Sequence, residues 1–414
     1  MRILITIVLI YSFFGLAAQD LNYSHKIIAD LSDSAMHGRG YINKGELKAA
    51  KYIRKELKES NVLALHSGYF QNFRIDINTL GGNAIVSIDD RELKPFTDFL
   101  VSASTPSVHG KYDLDFISDS LSEKQIVEYL QQTNLKNKVL VTSNQDLIYA
   151  DLSPLNIAAI VYRNPNKLYW KYSDGRSVAA YPILEIKEDL ISNNKKQIYL
   201  NIESKFKSNY RTQNVIGFIP GKIQADSFYV FTAHYDHLGY MGENTLFPGA
   251  NDNGSGIAML LNLAKHYAQP ENQSDYSIAF IALSAEESGL LGSQYYTSNP
   301  AFPLESIKFL INLDMIGSGS DGITLVNAKA NQKAFDHFVR INENKNYLSS
   351  IKARGEAANS DHHFFHANGV PAVFIYTRGK EHQEYHTPFD TADKVPLTKF
   401  AALFHLLTDF IEQY

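Results

Sequence analysis

Imidazoles and carboxylates follow four apolar segments in the second half of the chain. They are His234 and Asp236 after 228–233, Glu286 and Glu287 after 278–283, Asp314 after 309–313, and His386 beyond 370–376. A further carboxylate, Asp252, lies in the glycine-rich segment 248–256. Each side chain alone is a weak signal, because single histidines and acidic pairs usually cap turns or face solvent. Five separate segments that each present such a group indicate one shared metal site.

The residue types suit a pair of zinc ions. Zinc accepts histidine nitrogen and carboxylate oxygen, and two ions about 3.5–4 Å apart need one shared carboxylate and two terminal ligands each. The chain offers such a set in His234, Asp252, Glu287, Asp314 and His386. Asp252 is the expected bridging ligand, because the glycines around it permit a tight turn. We therefore expect two Zn²⁺ per chain.

Two acidic residues beside this set are expected to act in catalysis. Asp236 is expected to support His234, because the outer nitrogen of a ligating imidazole is usually held by a carboxylate or a carbonyl. Glu286 is the expected general base, which would take a proton from a water held by the metals. Segment 248–256 lacks the Gly-Lys-Ser/Thr ending of a phosphate-binding loop, which argues against nucleotide binding. Together these residues predict a hydrolase.

The segments that carry these residues predict an α/β fold. From about residue 207, apolar runs alternate with helical patterns such as 256–268 and 397–411, which is typical of βα units with a mainly parallel sheet. Ligands of open α/β sheets bind outside the carboxyl ends of the strands. Four strand ends would therefore bring the candidate residues to one rim of the sheet.

The first eighteen residues have the pattern of a signal peptide. Arg2 precedes a nearly continuous apolar run at 3–16, and Ala17 and Ala18 are the small residues that signal peptidase prefers. The run is short for a membrane span, which needs about 20 residues. We therefore expect export to the periplasm or the medium, with residues 1–18 removed and no membrane span in the mature protein.

The remainder is expected to form one catalytic domain with an insertion. Residues 19–100 and 207–414 are predicted to be the two parts of the catalytic domain. Residues 101–206 carry short apolar runs divided by polar turns and no constellation of metal-binding side chains. We expect them to form a smaller, mostly β domain that leaves the metal site to the rest of the chain.

Composition excludes several classes of protein. The 414 residues carry a net charge of −5, which argues against nucleic acid as a partner. The chain has no cysteine, which excludes disulfides, thiolate metal sites and a cysteine nucleophile. Any metal must therefore be held by histidine and carboxylates.

Several stretches have the form of motifs from a known family. They are His234-Tyr235-Asp236, Gly249-Ala250-Asn251-Asp252-Asn253 with Ser255-Gly256, Glu286-Glu287, Asn312-Leu313-Asp314-Met315, Tyr385-His386-Thr387-Pro388 with Asp390, Met36-His37-Gly38-Arg39-Gly40 and Ser360-Asp361-His362. They resemble the motifs of the co-catalytic zinc exopeptidases of clan MH. Within that clan they are most similar to the branch of secreted bacterial leucyl aminopeptidases and glutamate carboxypeptidase.

The resemblance implies how the five ligands divide. It assigns His234 and Asp314 to one zinc, Glu287 and His386 to the other, and Asp252 to both. It also implies that Glu286 is the general base and that Asp236 supports His234.

The resemblance implies structure as well. It predicts a mixed central sheet flanked by helices and a cis peptide bond between Asp252 and Asn253. Residues 101–206 are similar in position to the protease-associated domain of many relatives. Asn251 and Asn253 stand where several relatives carry Asp, which bears on the tuning of the site.

The function that follows is an exported di-zinc aminopeptidase that releases N-terminal residues from peptides. A carboxypeptidase or dipeptidase of the same family is an alternative. A glutaminyl cyclase of the same fold is another, but those relatives work with one zinc, and the complete set of five ligands favours hydrolysis. A non-catalytic binding module remains the third alternative, against which the intact ligand positions argue.

Overall fold

The computed structural model describes residues 20–65 and 68–414. The predicted signal segment 1–18 lies outside these residues. Across the described part of the chain, none of the helices combines the length and the apolar character needed to cross a membrane.

Strands predominate between residues 63 and 247, and helices and strands largely alternate after that. The α-helices are α1 (Leu21–Ser32), α2 (Gly45–Glu59), α3 (Glu123–Gln132), α4 (Gly256–Tyr267), α5 (Leu291–Ser298), α6 (Gln332–Lys345), α7 (His362–Ala367) and α8 (Phe400–Gln413). The strands are β1 (Leu63–Ala64), β2 (Phe70–Thr79), β3 (Ala84–Ile88), β4 (Arg91–Leu93), β5 (Phe99–Val101), β6 (Val108–Phe116), β7 (Val139–Thr142), β8 (Ala159–Asn164), β9 (Ile183–Lys187), β10 (Gln197–Ile202), β11 (Lys205–Ile219), β12 (Gln224–His234), β13 (Gly239–Met241), β14 (Thr245–Phe247), β15 (Tyr276–Leu283), β16 (Ile307–Leu313), β17 (Ile323–Val326), β18 (Ile351–Ala353) and β19 (Ala372–Thr377).

A mixed sheet, here called the large sheet, forms the centre of the fold. Its strand order is β1-β11-β15-β12-β16-β19-β17-β18, and β2 also pairs with β11. Strand β12 is parallel to β15 and β16, and β16 is parallel to β19. Strands β11 and β17 are antiparallel to β15 and β19. The predicted α/β fold with a mixed central sheet is confirmed.

Helices cover both faces of the large sheet. Tyr229, Phe231 and Ala233 of β12 belong to the apolar core that includes α1, α4 and α8. Phe228 and Val230 of the same strand belong to the opposite core, with α5 and α7. Side chains alternate between the faces of a strand, so a strand with helices on both sides must be apolar at every position. This burial explains the continuous apolar runs seen in the sequence.

A second sheet, here called the small sheet, has the strand order β4-β3-β10-β6-β7-β8-β9-β5. Strands β6 to β9 pair in parallel, and α3 lies between β6 and β7 in the chain. The sheet already includes β3, β4 and β5, which begin before residue 101. The domain boundaries at 101 and 206 stay a prediction.

The strand order places the candidate residues at one rim of the large sheet. Strand β12 ends at His234, β15 at Leu283 and β16 at Leu313. His234 lies opposite Leu283 in the parallel register. Because parallel strands end on the same side of a sheet, the segments that follow them begin at the same edge.

Candidate metal centre

Two groups of side chains meet at this rim and share Asp252. In the first group, called the His234 half, Nε2 of His234 lies 3.3 Å from Oδ1 of Asp252 and 3.4 Å from Oδ1 of Asp314. In the second, called the His386 half, Nε2 of His386 lies 3.2 Å from Oδ2 of Asp252 and 3.1 Å from Oε2 of Glu287. The structure therefore brings together the five residues predicted as ligands. The two oxygens of Asp252 face different histidines.

The cluster is buried and rich in negative charge. The five side chains belong to residues that are 1% to 7% exposed, and Oδ2 of Asp252 has no hydrogen-bond partner among the described residues. Burial would lower the pKa of His386, but the carboxylates of Glu287 and Asp252 raise it well above its usual value. Burial raises the pKa of Glu286 well above its usual value, and the neighbouring Glu287 raises it further.

This electrostatic environment fits a pair of divalent cations. A buried carboxylate is costly unless it is paired or coordinates a metal, and each half offers one imidazole and two carboxylates, which zinc accepts. Donor atoms of His234, Asp252 and Asp314 all lie within 4.8 Å of one another, as such a site requires.

His237 is a neighbour of the His386 half that the sequence analysis missed. Its Nδ1 lies 2.8 Å from Oε1 of Glu287 and 4.0 Å from Oδ2 of Asp252. Donor atoms of His237, Asp252 and Glu287 also lie within 4.8 Å of one another. A third candidate histidine was visible in the sequence, because His237 directly follows the predicted His234-Tyr235-Asp236 motif.

Asp236 contacts residues of both halves. Its backbone carbonyl is 3.3 Å from Nδ1 of His234, and its Oδ1 is 3.9 Å from the same nitrogen. Its two carboxylate oxygens accept the backbone N–H groups of Glu286 at 3.1 Å and of Glu287 at 3.3 Å. Asp236 therefore links the end of β12 to the loop that carries both glutamates.

The turn that carries Asp252 is fixed by a buried arginine. Arg39 is 0% exposed and donates five hydrogen bonds, all to backbone carbonyls. The acceptors are Tyr235 at 2.8 Å, Leu31 at 3.0 Å, Pro248 at 2.6 Å, Gly249 at 2.7 Å and Asp252 at 3.0 Å. Gly249 has φ 64, and a Cβ there would lie 2.2 Å from the carbonyl of Asp252, so the turn requires glycine.

The asparagines beside Asp252 join this turn to the end of β16. Asn253 donates to the carbonyl of Leu313 at 2.9 Å and accepts the backbone N–H of Met315 at 3.2 Å. Asn251 accepts the backbone N–H of Gly317 at 2.9 Å. The Asp252–Asn253 peptide bond is cis, as the resemblance implies.

Asp390 holds the turn from its other side. Its carboxylate oxygens accept the backbone N–H groups of Asn251 at 2.9 Å and Asp252 at 3.0 Å. Asp390 lies four residues beyond His386 in the motif, so the loop of one ligand also positions the bridging ligand.

Asp314 is held by a chain of buried hydrogen bonds. Ser360 donates to Oδ2 of Asp314 at 2.8 Å, and Asn312 donates to the Ser360 hydroxyl at 2.7 Å. Thr232 in turn donates to Asn312 at 2.7 Å. This chain begins on β12, includes β16 and ends at Ser360, in the connection between β18 and α7, so the support of Asp314 comes from outside the small sheet.

The outer nitrogen of His386 has its partner in the chain of the small sheet. Nδ1 of His386 lies 2.6 Å from the carbonyl oxygen of Trp170, in the connection between β8 and β9 of the small sheet. Segment 101–206 was expected to leave the metal site to the rest of the chain. It contacts the site through a backbone carbonyl. Every residue has one, so a sequence motif of side chains does not reveal this contact.

A cavity of about 490 Å³ opens onto the cluster. Its lining includes Glu286, Met315, Phe374, Tyr376 and Tyr385. The ring of Tyr385 stacks on His386 with centroids 3.8 Å apart. A larger cavity of about 850 Å³ between β2 and α5 includes none of the five candidate ligands.

The chain is similar to known peptidases. The model of peptidase family M28 matches residues 214–411, which contain all five candidate ligands. Aminopeptidase YwaD of Bacillus subtilis (strain 168) is 30% identical over 276 residues, which are 63% of this chain and 58% of that protein. Leucine aminopeptidase 1 of Arthroderma otae is 24% identical over 303 residues, which are 69% of this chain and 78% of that protein. The chain thus spans little more than half the length of YwaD.

A solved structure shares the whole fold. BSAP, a zinc aminopeptidase from Bacillus subtilis, superposes with a TM-score of 0.73 at 22% identity, and the match covers 95% of each chain. The match includes both sheets, because it extends over nearly the full length.

Proposed function

We propose that the chain, whose residues 214–411 belong to peptidase family M28, is a di-zinc metallopeptidase that releases N-terminal residues from peptides. The observation that carries the proposal is the position of Asp252, whose two oxygens lie 3.3 Å and 3.2 Å from the histidines of the two halves. A shared carboxylate between two three-residue groups is the arrangement that a pair of zinc ions requires.

In this proposal each half binds one ion. His234 and Asp314 would hold the first, Glu287 and His386 would hold the second, and Asp252 would be a ligand of both. Zinc bound there would polarise the scissile carbonyl and lower the pKa of water. The residues around the cluster then have to hold the substrate and move protons.

Glu286 is proposed to move the proton. It lines the cavity together with ligands of both halves, and Asp236 fixes its backbone N–H at 3.1 Å. Its carboxylate accepts a proton from the attacking water and passes it to the nitrogen of the departing peptide. Burial raises the pKa of Glu286, which makes its carboxylate a stronger base than that of an exposed glutamate.

The aminopeptidase assignment rests on the named relatives and on the form of the cavity. YwaD and leucine aminopeptidase 1 are both named aminopeptidases. A pocket of about 490 Å³ above the cluster suits the end of a peptide, because it has room for one or two side chains.

A panel of peptides tests the reaction. The purified protein is assayed for zinc and then incubated with peptides that are free, acetylated at the N-terminus or amidated at the C-terminus. We expect two zinc ions per chain, release of the N-terminal residue from free and amidated peptides, and no cleavage after acetylation. Chelation should abolish the activity, and added zinc should restore it.

The same panel separates the alternatives. Release of C-terminal residues would indicate a carboxypeptidase, and cleavage of dipeptides alone would indicate a dipeptidase. One zinc per chain with loss of ammonia from peptides that begin with Gln would indicate a glutaminyl cyclase. A fully active preparation without bound metal would overturn the proposal.

Export is proposed from the pattern of residues 1–18. A positively charged start, an apolar run and small residues at 17 and 18 form the pattern that signal peptidase cleaves. N-terminal sequencing of the protein recovered from the periplasm or the medium should give a start near residue 19. An intact Met1 in the mature protein would contradict this.

A further inference from the structure

The two candidate zinc-binding histidines differ in how their backbones are placed. His234 is the last residue of β12, whereas His386 lies beyond the end of β19 at Thr377. His386 has φ 53, in the left-handed region that is unfavourable for a residue with a side chain. Such a conformation persists only where surrounding contacts impose it.

Trp170 makes contacts of the required kind, on both the backbone and the side chain of His386. The backbone N–H of Trp170 donates to the carbonyl of His386 at 3.3 Å. The carbonyl of Trp170 lies 2.6 Å from Nδ1 of His386. With the proton on Nδ1 engaged by this carbonyl, Nε2 keeps its lone pair free toward Asp252 and Glu287.

Trp170 is itself anchored to the small sheet. It is 1% exposed, and its indole N–H donates to the carbonyl of Val101, the last residue of β5, at 2.7 Å. Its ring packs on Phe247 with centroids 4.9 Å apart. Phe247 is the last residue of β14 and precedes the turn that carries Asp252. The indole therefore connects β5 to the segments of two candidate ligands.

Two further contacts join the segment around β5 and β8 to the His386 loop. Lys167 donates to the carbonyl of Gln383 at 3.1 Å. The ring of Phe96 meets that of Phe389 edge to face, with centroids 5.9 Å apart. The loop is thus held on either side of His386 as well as at the ligand.

We propose that Trp170 is a positioning residue of the metal centre, through which the small sheet makes His386 competent to bind the second zinc ion. This inference rests on the proposed di-zinc function. It means that the His386 half is completed by the docked small sheet, whereas Asp314 of the His234 half is supported by Ser360 and Asn312, outside the small sheet. Partners of this kind typically contribute about 10- to 100-fold to metal affinity.

The test compares two substitutions that each remove a buried apolar side chain. Only one of the two side chains belongs to a residue that contacts His386. In Trp170→Ala the indole anchor is removed and the carbonyl is free to shift. In the control Leu200→Ala, a fully buried side chain is shortened on β10, a strand that pairs with β3 and β6. Zinc is titrated into the metal-free proteins against a chromophoric chelator, which gives the two affinities separately. Thermal unfolding of the metal-free variants reports their folding.

For Trp170→Ala we expect the affinity of the His386 half, identified as the one that Glu287→Gln lowers, to fall by about 10- to 100-fold, with the other unchanged. Leu200→Ala should keep both affinities while its melting temperature falls. Trp170→Phe keeps an aromatic ring but loses the hydrogen bond to Val101, so it should show a smaller loss at the same site. If Trp170→Ala does not fold, Trp170→Phe carries the test.

Two results would overturn the inference. If Trp170→Phe and Trp170→Ala both bind zinc with the affinities of the parent protein, the carbonyl contact does not position His386. An equal loss of the second ion in Leu200→Ala would show a general effect of destabilisation. Failure of the proposed function is distinct, because the parent protein would then fail to bind two zinc ions.

Discussion

The His234 half and the His386 half of the metal centre have the same donor types but different supports. His234 ends a central strand, and Asp314 follows the neighbouring strand and accepts a hydrogen bond from Ser360 at 2.8 Å. His386 lies on a loop, and its outer nitrogen reaches a carbonyl of the small sheet at 2.6 Å. His234 is placed by the pairing of its strand with β15, whereas His386 on its loop takes its partner from the small sheet. The second half is therefore the one that depends on the small sheet.

The largest effect is expected at the residue that serves both halves without binding either ion. Glu286→Gln keeps the size of the side chain but removes the proton acceptor, so kcat should fall by about 100- to 10,000-fold. The variant should keep two zinc ions, because Glu286 is outside the ligand set. Turnover and zinc content are measured on the same preparation. If Glu286→Gln loses zinc while Glu287→Gln keeps two ions, the roles of the two glutamates are reversed.

A matched pair of ligand variants should break one half each. Glu287→Gln and Asp314→Asn both replace a carboxylate of a 7% exposed residue by an amide of the same shape, and an amide is a poorer zinc ligand. Each variant should retain one tightly bound ion and lose affinity for the other. The loss should exceed that expected for a residue that only contacts a ligand, which is about 10- to 100-fold. Chelator competition measures both constants. Loss of both ions in either variant would show that the halves do not bind independently.

Ser360→Ala is the counterpart of Trp170→Ala in the other half. Removing the hydroxyl leaves Oδ2 of Asp314 without its hydrogen bond, so the affinity of the His234 half should fall by about 10- to 100-fold. The His386 half should be unchanged. Ser277→Ala is the control, because Ser277 is also fully buried and donates to the carbonyl of Ala225, away from the ligands. Equal losses of zinc affinity in Ser360→Ala and Ser277→Ala would show a general effect of destabilisation and would contradict a specific role of Ser360 in holding Asp314.

The smallest effect is expected at Asn253, which holds the turn of Asp252, the residue that both halves share. Asn253→Asp removes the donor to the carbonyl of Leu313 and places a carboxylate against it, so the free energy of unfolding should fall by about 1–3 kcal/mol. Because Asn253 holds the turn of the shared Asp252, both zinc affinities should weaken together and their ratio should stay constant. Denaturant unfolding and zinc titration measure the two quantities. A change confined to one half would contradict the shared role.

Much of the large sheet could be predicted from the sequence. The apolar runs of β12, β15, β16 and β19 mark strands that are buried on both faces, and the helix predicted at 256–268 is observed as α4 (Gly256–Tyr267). The five candidate ligands could be identified because zinc restricts its donors to a few side chains. Three of them follow such a run closely, His386 lies beyond the fourth run, and Asp252 lies in the glycine-rich segment 248–256. Their division between two ions and the role of Glu286 stay predictions until metal binding is measured.

The supports of the site were decided by the tertiary structure alone. Trp170 acts on His386 through a backbone carbonyl 216 positions away in the chain, and Arg39 holds the Asp252 turn through five backbone carbonyls. Every residue has a carbonyl, so the sequence does not mark which ones will face a ligand. The sequence by itself determined the donor atoms and the strands that end beside them. Which carbonyls meet those donors depends on how two sheets pack, because that packing sets distances between segments that no local pattern encodes.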